Sequence, residues 1–124
     1  MPYKEERNRN TTFKLSMTAL VKLLILSTLG QGELYGNKII DHISFILKEK
    51  WAPSPGMIYP LLRQLEEEEY IKGRWTDPVK RTTRYYRITD EGNKHLYLIK
   101  KNYKSSIDDS IQILQSIVDA VYTS

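Results

Sequence analysis

The side chains with the clearest chemical potential in this sequence are cations, and they concentrate in one short segment. Residues 72–87 contain six Lys or Arg side chains against a single acid, Asp77. A block of four glutamates at residues 66–69 lies just before this segment, so the charge changes sign abruptly along the chain. Clustered cations bind polyanions, because each can pair with a phosphate. The whole chain has a mild positive excess, with 19 Lys and Arg against 15 Asp and Glu.

Groups that could perform catalysis or hold a metal are few. The chain has no cysteine and two histidines, which excludes disulfides, thiolate zinc sites and cysteine nucleophiles. His95 follows Glu91 by one helical turn, but two ligands make a poor metal site. Asp108 and Asp109 have no third group beside them to support paired-carboxylate chemistry. No glycine-rich cofactor loop is present, so we expect neither an enzyme nor a bound cofactor.

The size and composition predict one folded, soluble domain. A chain of 124 residues that is 40% hydrophobic and 27% charged has room for one core. Its longest purely aliphatic run, residues 23–26, is far below the roughly 20 residues that cross a bilayer. No signal-like apolar segment opens the chain. These features predict a cytoplasmic protein that does not engage a membrane.

Apolar spacing predicts three helices that would position the cations. The first runs from about residue 16 to residue 29 with Ser16 or Thr18 as a candidate cap, and the second from about residue 34 to residue 50. Prolines then interrupt the pattern, and Ser54 as N-cap with Pro55 in the first turn begins a third helix. The buried stripe of this third helix is predicted to consist of Ile58, Leu61, Leu62 and Leu65.

The opposite side of the third helix is short of ordinary solubilising residues at its start. Its exposed positions include Gly56, Pro60 and Arg63, flanked by Met57 and Tyr59. Pro60 removes the hydrogen bond to the carbonyl of Gly56, so we expect a distorted first turn. The glutamate block at the far end of this helix is expected to point away from any partner of the exposed side.

The periodicity changes after the third helix from that of a helix to that of a strand. Residues 71–75 and 82–89 alternate apolar and polar side chains and predict a β-hairpin with a basic tip. A basic hairpin also guards an edge strand against aggregation, but contact with a polyanion is the favoured interpretation.

The C-terminal third predicts a long helix that Thr89 caps and that runs to about Tyr122. Apolar residues recur there at steps of three and four over about 25 residues, which outruns a small globule and predicts a second subunit. A break near Ser105 and Ser106 stays open at this stage. The predicted dimerisation residues are Leu96, Ile99, Tyr103, Ile107, Ile111, Leu114, Val118 and Val121.

Three helices followed by a hairpin and a long helix give a mainly α fold with a β-hairpin, the order of a winged helix-turn-helix with a C-terminal dimerisation helix. Three segments carry a family resemblance: Leu-Tyr-Gly at residues 34–36, the run Ser-Pro-Gly-x-Ile-Tyr-Pro-Leu-Leu at residues 54–62, and residues 84–92. Together they resemble the PadR family of transcriptional regulators over roughly residues 16–97. Asn37 replaces an aromatic residue that is frequent in that family, and residues 78–82 lack its usual glycine.

The resemblance implies a homodimer that binds an inverted-repeat operator in double-stranded DNA, as a regulator and by expectation a repressor. It divides the chain into a flexible basic arm at residues 1–14, a winged-helix DNA-binding domain at 15–89 and a dimerisation helix at 90–124. The N-terminus of the third helix suits a phosphate, and an arginine on its exposed side can reach a guanine edge. The expected DNA contacts are Ser54, Gly56, Met57, Tyr59, Pro60, Arg63, Lys80, Arg81 and Arg84.

Two questions stay open from the sequence. PadR relatives often take small planar aromatic effectors, for which Tyr97 and Tyr103 offer flat surface, with Tyr3 or Phe13 as outside candidates. Packing of the interface by these side chains is the favoured alternative. A winged-helix protein of plasmid or chromosome segregation or organisation, without promoter control, is the competing function. A short footprint would indicate promoter control, whereas spreading along DNA would indicate the other class.

Overall fold

The computed structural model describes residues 15–123. The predicted N-terminal arm, with Tyr3 and Phe13, lies outside this range. Within the described residues, none of the helices combines the length and apolar character needed to cross a membrane. The elements, in chain order, are α1 (Met17–Leu29), β1 (Leu34–Tyr35), α2 (Gly36–Ile46), α3 (Pro55–Glu67), β2 (Ile71–Trp75), β3 (Arg84–Ile88) and α4 (Asp90–Tyr122).

Hydroxyl side chains begin α1, α3 and α4, as the sequence predicts. The Oγ of Ser16 accepts the Ala19 N–H at 3.1 Å, and the Oγ of Ser54 accepts an N–H of α3 at 3.2 Å. Thr89 does the same for the Gly92 N–H at 3.0 Å. Each cap satisfies a backbone donor that the first turn leaves without an intrahelical partner, so the helix starts are fixed by local chemistry.

The second helix is shorter than predicted at both ends. Residues 34 and 35 form β1, which pairs with β3 at Tyr85 and Tyr86, so they are strand and not helix. The helix ends at Ile46 because Lys48 and Glu49 adopt left-handed backbone conformations with φ of 56° and 60°. Their N–H groups donate to carbonyls of the last turn, which is the hydrogen-bonding pattern of a Schellman C-cap.

The predicted hairpin is confirmed and is part of a larger sheet. Among residues 15–123 the strands form a three-stranded antiparallel sheet in the order β1-β3-β2. The hairpin register pairs Ile71 with Ile88 and Trp75 with Arg84. The predicted stripe of α3 is fully buried and meets α1, α2 and the sheet in one core, which contains Val21, Ile25, Leu26, Leu29, Ile39, Ile43, Ile58, Leu61, Leu62, Leu65, Ile71, Tyr86 and Ile99.

The last helix is continuous from Asp90 to Tyr122 and runs through Ser105 and Ser106 without a break. The sequence assigns the whole apolar seam of this helix to dimerisation, but the first part of the seam packs against the core of its own chain and the second part is exposed. Ile99 is only 7% exposed in the core of its own chain, and Leu96 and Tyr103 pack beside it. Ile99 is therefore a core residue of the single chain, and Leu96 and Tyr103 are partly buried against that core. The part of these three residues in dimerisation stays a prediction. Farther along the helix, the predicted residues Ile111, Leu114, Val118 and Val121 are exposed.

Candidate nucleic-acid interface

The core presents one side of α3 to solvent. Its buried stripe orients the helix so that Gly56, Pro60 and Arg63 are exposed, together with the cap Ser54, while Met57 is half-buried. The helix continues through Pro60. Its first turn is tight, since the N–H groups of residues 57 and 58 both donate to the Ser54 carbonyl, at 3.0 and 2.9 Å. The sequence therefore anticipated which side of α3 faces outward.

Tyr59 is held at this surface by the start of α2. Its hydroxyl donates to Asn37 Oδ1 at 3.3 Å. Gly36 is buried beneath the ring, and a Cβ at that position would lie 2.5 Å from the phenol oxygen. The close approach of the two helices thus needs a residue without a side chain. Asn37 belongs to this candidate interface and was not predicted from the sequence, although the glycine before it was an available signal.

A cleft separates α3 from the hairpin. It encloses about 630 Å³ and brings together four of the predicted DNA contacts, two from each side. Arg63 and Arg81 face it from opposite walls, and both are exposed. The cleft does not include Lys80, Met57 or the N-terminus of α3. Its lining consists of Tyr35, Gly36, Asn37, Tyr59, Arg63, Glu66, Trp75, Arg81, Thr82, Thr83, Arg84 and Tyr86.

The loop between β2 and β3 presents cations to solvent, because its acidic residue, Asp77, is hydrogen-bonded to the backbone of the loop itself. The Oδ1 of Asp77 accepts the N–H groups of Val79 and Lys80 at 2.9 and 3.1 Å, an arrangement that closes a turn without glycine. Arg81 takes the left-handed conformation there, with φ of 51°. The side chains of Lys80 and Arg81 are exposed at the tip, while the carboxylate of Asp77 faces the backbone.

Arg84 was predicted to contact DNA, but its guanidinium is bound within the protein. Its Nη2 lies 2.5 Å from Glu66 Oε2, and the two side chains are 25% and 30% exposed. The guanidinium also lies over the rings of Trp75 and Tyr86, at 5.1 and 5.8 Å from their centroids. Burial raises the pKa of the Tyr86 phenol, and the charge of Arg84 opposes that shift in part. Glu66 faces the cleft, so the expectation that the whole glutamate block points away is wrong for this residue.

The remaining cations of residues 72–87 lie elsewhere on the sheet. Arg74 makes two hydrogen bonds to Glu33, at 3.0 and 2.7 Å, on the opposite sheet face. This contact lowers the pKa of the Glu33 carboxyl and raises the pKa of the Arg74 guanidinium. Lys72 and Arg87 stand opposite each other in the hairpin and line a second cavity of about 700 Å³ among acidic side chains. The cationic segment is therefore divided: two of its arginines are bound to glutamates, and the other cations are exposed on the sheet or at the tip of the hairpin. At the tip, the Arg81 Nε donates to the Pro78 carbonyl at 3.3 Å.

In residues 15–123, no group of three His, Asp or Glu side chains is arranged so that it could hold a metal ion. The arrangement of an exposed helix side, a cleft and a basic loop is suited to contact along an extended polyanion. The exposed cations stand on both sides of the cleft, so a phosphate strand between them would be paired from two directions.

Comparison with known proteins gives consistent results. The model of the transcriptional regulator PadR-like family matches residues 25–98, more than half of the chain. The negative transcriptional regulator PadR of Bacillus subtilis (strain 168) is 33% identical over 79 residues. That match covers 63% of this chain and 43% of the relative, so the chain spans less than half the length of the curated protein.

Solved structures agree in fold. A transcriptional regulator from Clostridium thermocellum has a TM-score of 0.66 at 28% identity, covering 73% of this chain and 89% of the other. Bacillus subtilis PadR in complex with operator DNA has a TM-score of 0.55 at 32% identity, covering 63% of this chain and 45% of that one. The prediction of a winged helix-turn-helix with a long C-terminal helix is confirmed, and the chain belongs to the PadR-like family of transcriptional regulators.

Proposed function

We propose that this regulator is a repressor that acts as a homodimer on an inverted-repeat operator. One observation carries the proposal: Arg63 on the exposed side of α3 and Arg81 on the hairpin face the same cleft. The Bacillus subtilis relative supports it, because that PadR protein is a negative transcriptional regulator and its structure is known in complex with operator DNA. In this proposal the protein binds DNA in the cytoplasm and catalyses no reaction.

In this proposal α3 lies in the major groove and the hairpin is the wing. Arg63 contacts a guanine edge or a phosphate, and Tyr59 with Asn37 contacts the backbone beside it. The N–H groups near Ser54 and Gly56 bind a phosphate at the start of the helix. Met57 and Pro60 supply apolar contact on the same side. One sugar–phosphate strand then passes through the cleft, and Lys80 and Arg81 pair with phosphates beyond it.

The proposed dimer uses the second half of α4. Ile111, Leu114, Val118 and Val121 are between 46% and 66% exposed and recur at steps of three, four and three. That spacing is the seam of two packed helices, and the apolar stripe would otherwise stay in water. A second copy of the chain is the natural occupant, because a dimer with twofold symmetry matches an inverted repeat.

For a planar aromatic effector we propose weak binding at most. Tyr103 packs against the core of its own chain, whereas Tyr97 is 68% exposed. The depression beside Tyr97 is open and is otherwise lined by three lysines, Lys100, Lys101 and Lys104. Tight binding of a small ligand needs a more enclosed apolar site.

Selection of bound duplexes from random oligonucleotides tests the proposal directly. We expect an enriched inverted repeat and a short footprint over it, and we expect repression of a reporter placed behind that repeat. Arg63→Ala should weaken binding to the repeat, while Lys101→Ala, which removes a cation from α4, should not. Enrichment of no sequence, or a footprint that spreads with protein concentration, would favour a segregation or DNA-organising protein instead.

A further inference from the structure

We propose that Glu66 and Arg84 are positioning residues that fix the wing relative to α3, and that operator selectivity depends on this contact. The inference rests on the proposed DNA-binding function. It assigns to Arg84 a role within the protein instead of the direct DNA contact that the sequence indicated. The pair joins the end of α3 to the stem of the hairpin, 18 residues later in the chain.

The carboxylate of Glu66 holds both strands of the hairpin. Its Oε2 accepts a hydrogen bond from Arg84 Nη2 on β3 at 2.5 Å. The same oxygen accepts the backbone N–H of Gly73 on β2 at 3.3 Å. One side chain of α3 is thus bonded to two neighbouring strands, which restrains rotation of the hairpin about its attachment to the core.

The guanidinium of Arg84 reaches this carboxylate over Gly73 of β2, where an added Cβ would stand 2.7 Å from the Arg84 Cζ. It also lies over the rings of Trp75 and Tyr86. A side chain at position 73 would therefore displace the arginine. Because aromatic contacts and a glycine define its path, the pair differs from an exposed ion pair between mobile side chains.

The position of the two strands determines the position of the loop at the tip of the hairpin. The Thr76 N–H donates to the Thr83 carbonyl at 2.9 Å, directly beyond the strands, so the loop continues the hairpin. Arg81 lies at the tip, and a small rotation at the stem moves it by a larger distance. The separation between Arg63 on α3 and Arg81 on the wing therefore depends on the Glu66–Arg84 contact.

The charge of Arg84 also distinguishes it from the proposed DNA contacts. A phosphate would have to displace the Glu66 carboxylate to pair with this guanidinium, and a cation already neutralised releases few counterions on binding. Arg84 should therefore contribute little to the salt dependence of binding. Arg84 should instead increase the preference for the operator over random DNA. A wing in a fixed position fits the groove geometry of the operator, whereas a mobile wing can adapt to any duplex.

The first test measures wing position without DNA. The chain has no cysteine, so Asp41→Cys on α2 and Val79→Cys at the tip accept spin labels, in full-length protein diluted with unlabelled protein. We expect a narrow distance distribution that Glu66→Gln and Gly73→Ala both broaden. The matched control Glu68→Gln, at an exposed neighbour in the same glutamate block, should leave the distribution unchanged. Gly73→Ala alters no charge, and circular dichroism identifies the variants that remain folded.

The second test compares the selected operator with a random duplex across salt concentrations. Glu66→Gln should lower the operator-to-random affinity ratio about tenfold without weakening random binding, and Gly73→Ala should lower the ratio similarly. Arg84→Gln should keep the random-DNA salt slope, whereas Arg81→Asn should reduce it by about one. An unchanged distance distribution or ratio in the folded variants, or a slope loss for Arg84→Gln equal to that for Arg81→Asn, would overturn the inference. Failure of the wild type to prefer any duplex would instead refute the proposed function, while the distance measurement still decides whether the pair fixes the hairpin.

Discussion

The ring of Tyr59 on α3 lies directly over Gly36 at the start of α2, close enough that a Cβ there would stand 2.5 Å from the phenol oxygen. The hydroxyl donates to Asn37 at 3.3 Å, which brings two helix surfaces together at the side proposed to face DNA. This contact means that a buried glycine determines the position of a tyrosine in the proposed interface. We therefore expect stability and DNA binding to be linked at this point.

Gly36→Ala is expected to displace Tyr59 and to destabilise the fold by about 1–3 kcal/mol, the usual cost of overpacking. Binding to the operator should also fall, by an amount similar to that expected for Tyr59→Ala. Urea denaturation and DNA titration measure the two effects. Gly56→Ala is the matched control for stability, because a Cβ there meets Ser54 Oγ at an ordinary 3.8 Å. Equal stability of Gly36→Ala and the wild type would contradict the assigned contact.

Arg63→Ala is expected to weaken operator binding by about 1–3 kcal/mol, the usual value of a bidentate contact to a base. The loss should be smaller on a random duplex, since a base contact carries sequence information. The residue is exposed, so the stability of the variant should stay within about 0.5 kcal/mol of the wild type. Titrations on both duplexes check this, and an equal loss on both would reassign Arg63 to a phosphate.

Lys80→Ala combined with Arg81→Asn should weaken binding to all DNA. Asparagine tolerates the left-handed backbone at position 81, so the turn is retained. The plot of log affinity against log salt should become shallower by about one for each lost phosphate contact. Arg74→Gln removes a cation from the opposite face of the sheet and should leave the slope unchanged. If the double variant keeps the wild-type slope, the tip of the hairpin does not bind phosphates.

Leu114→Asp with Val118→Asp should convert the proposed dimer to a folded monomer. Both side chains are exposed in the single chain, at 63% and 46%, so the charges disrupt the seam between subunits and not the core. Sedimentation gives the mass and circular dichroism the fold. Gln112→Asp adds a charge to the same part of α4 outside the stripe and should remain dimeric. A dimer that survives the double substitution would place the interface elsewhere.

The Glu33–Arg74 pair predicts a defined acid response. The hydrogen bond from Arg74 lowers the pKa of the Glu33 carboxyl in the folded protein. Its contribution to stability is therefore complete above the ordinary Glu pKa of about 4.3 and is lost as the pH falls through the lowered pKa. The denaturation midpoint should fall more between pH 7 and about pH 3 for the wild type than for Glu33→Gln. Parallel acid profiles would show that the pair is not formed in solution.

Local signals made much of the fold predictable. Ser54 and Pro55 define the start of α3 through backbone chemistry, and the alternation of apolar residues defines the hairpin. Both signals act over a few residues. The exposed side of α3, with Arg63, followed from the same periodicity because the buried stripe fixes what remains outside.

Long-range contacts explain what the sequence did not predict. Leu34 becomes strand through pairing with Tyr86, and no pattern around residue 34 encodes a partner so distant. The Glu66–Arg84 pair depends on the gap that Gly73 leaves, which is visible only once the strands are in register. Periodicity could not assign Ile99 to its own core, because packing within a chain and between chains uses the same spacing.

The junction between β3 and α4 consists of one residue, Thr89, whose hydroxyl donates to the Glu69 carbonyl at 2.6 Å. The wing stem therefore passes into a rod that rises about 1.5 Å per residue, with no flexible linker between. In a dimer joined along that rod, the separation of the two DNA-reading heads is built into the protein. One base pair inserted between the half-sites rotates one half-site relative to the other by roughly 34–36° about the DNA axis. A rigid dimer does not adjust to that rotation. The regulator should thus measure the distance between half-sites as strictly as it reads their bases.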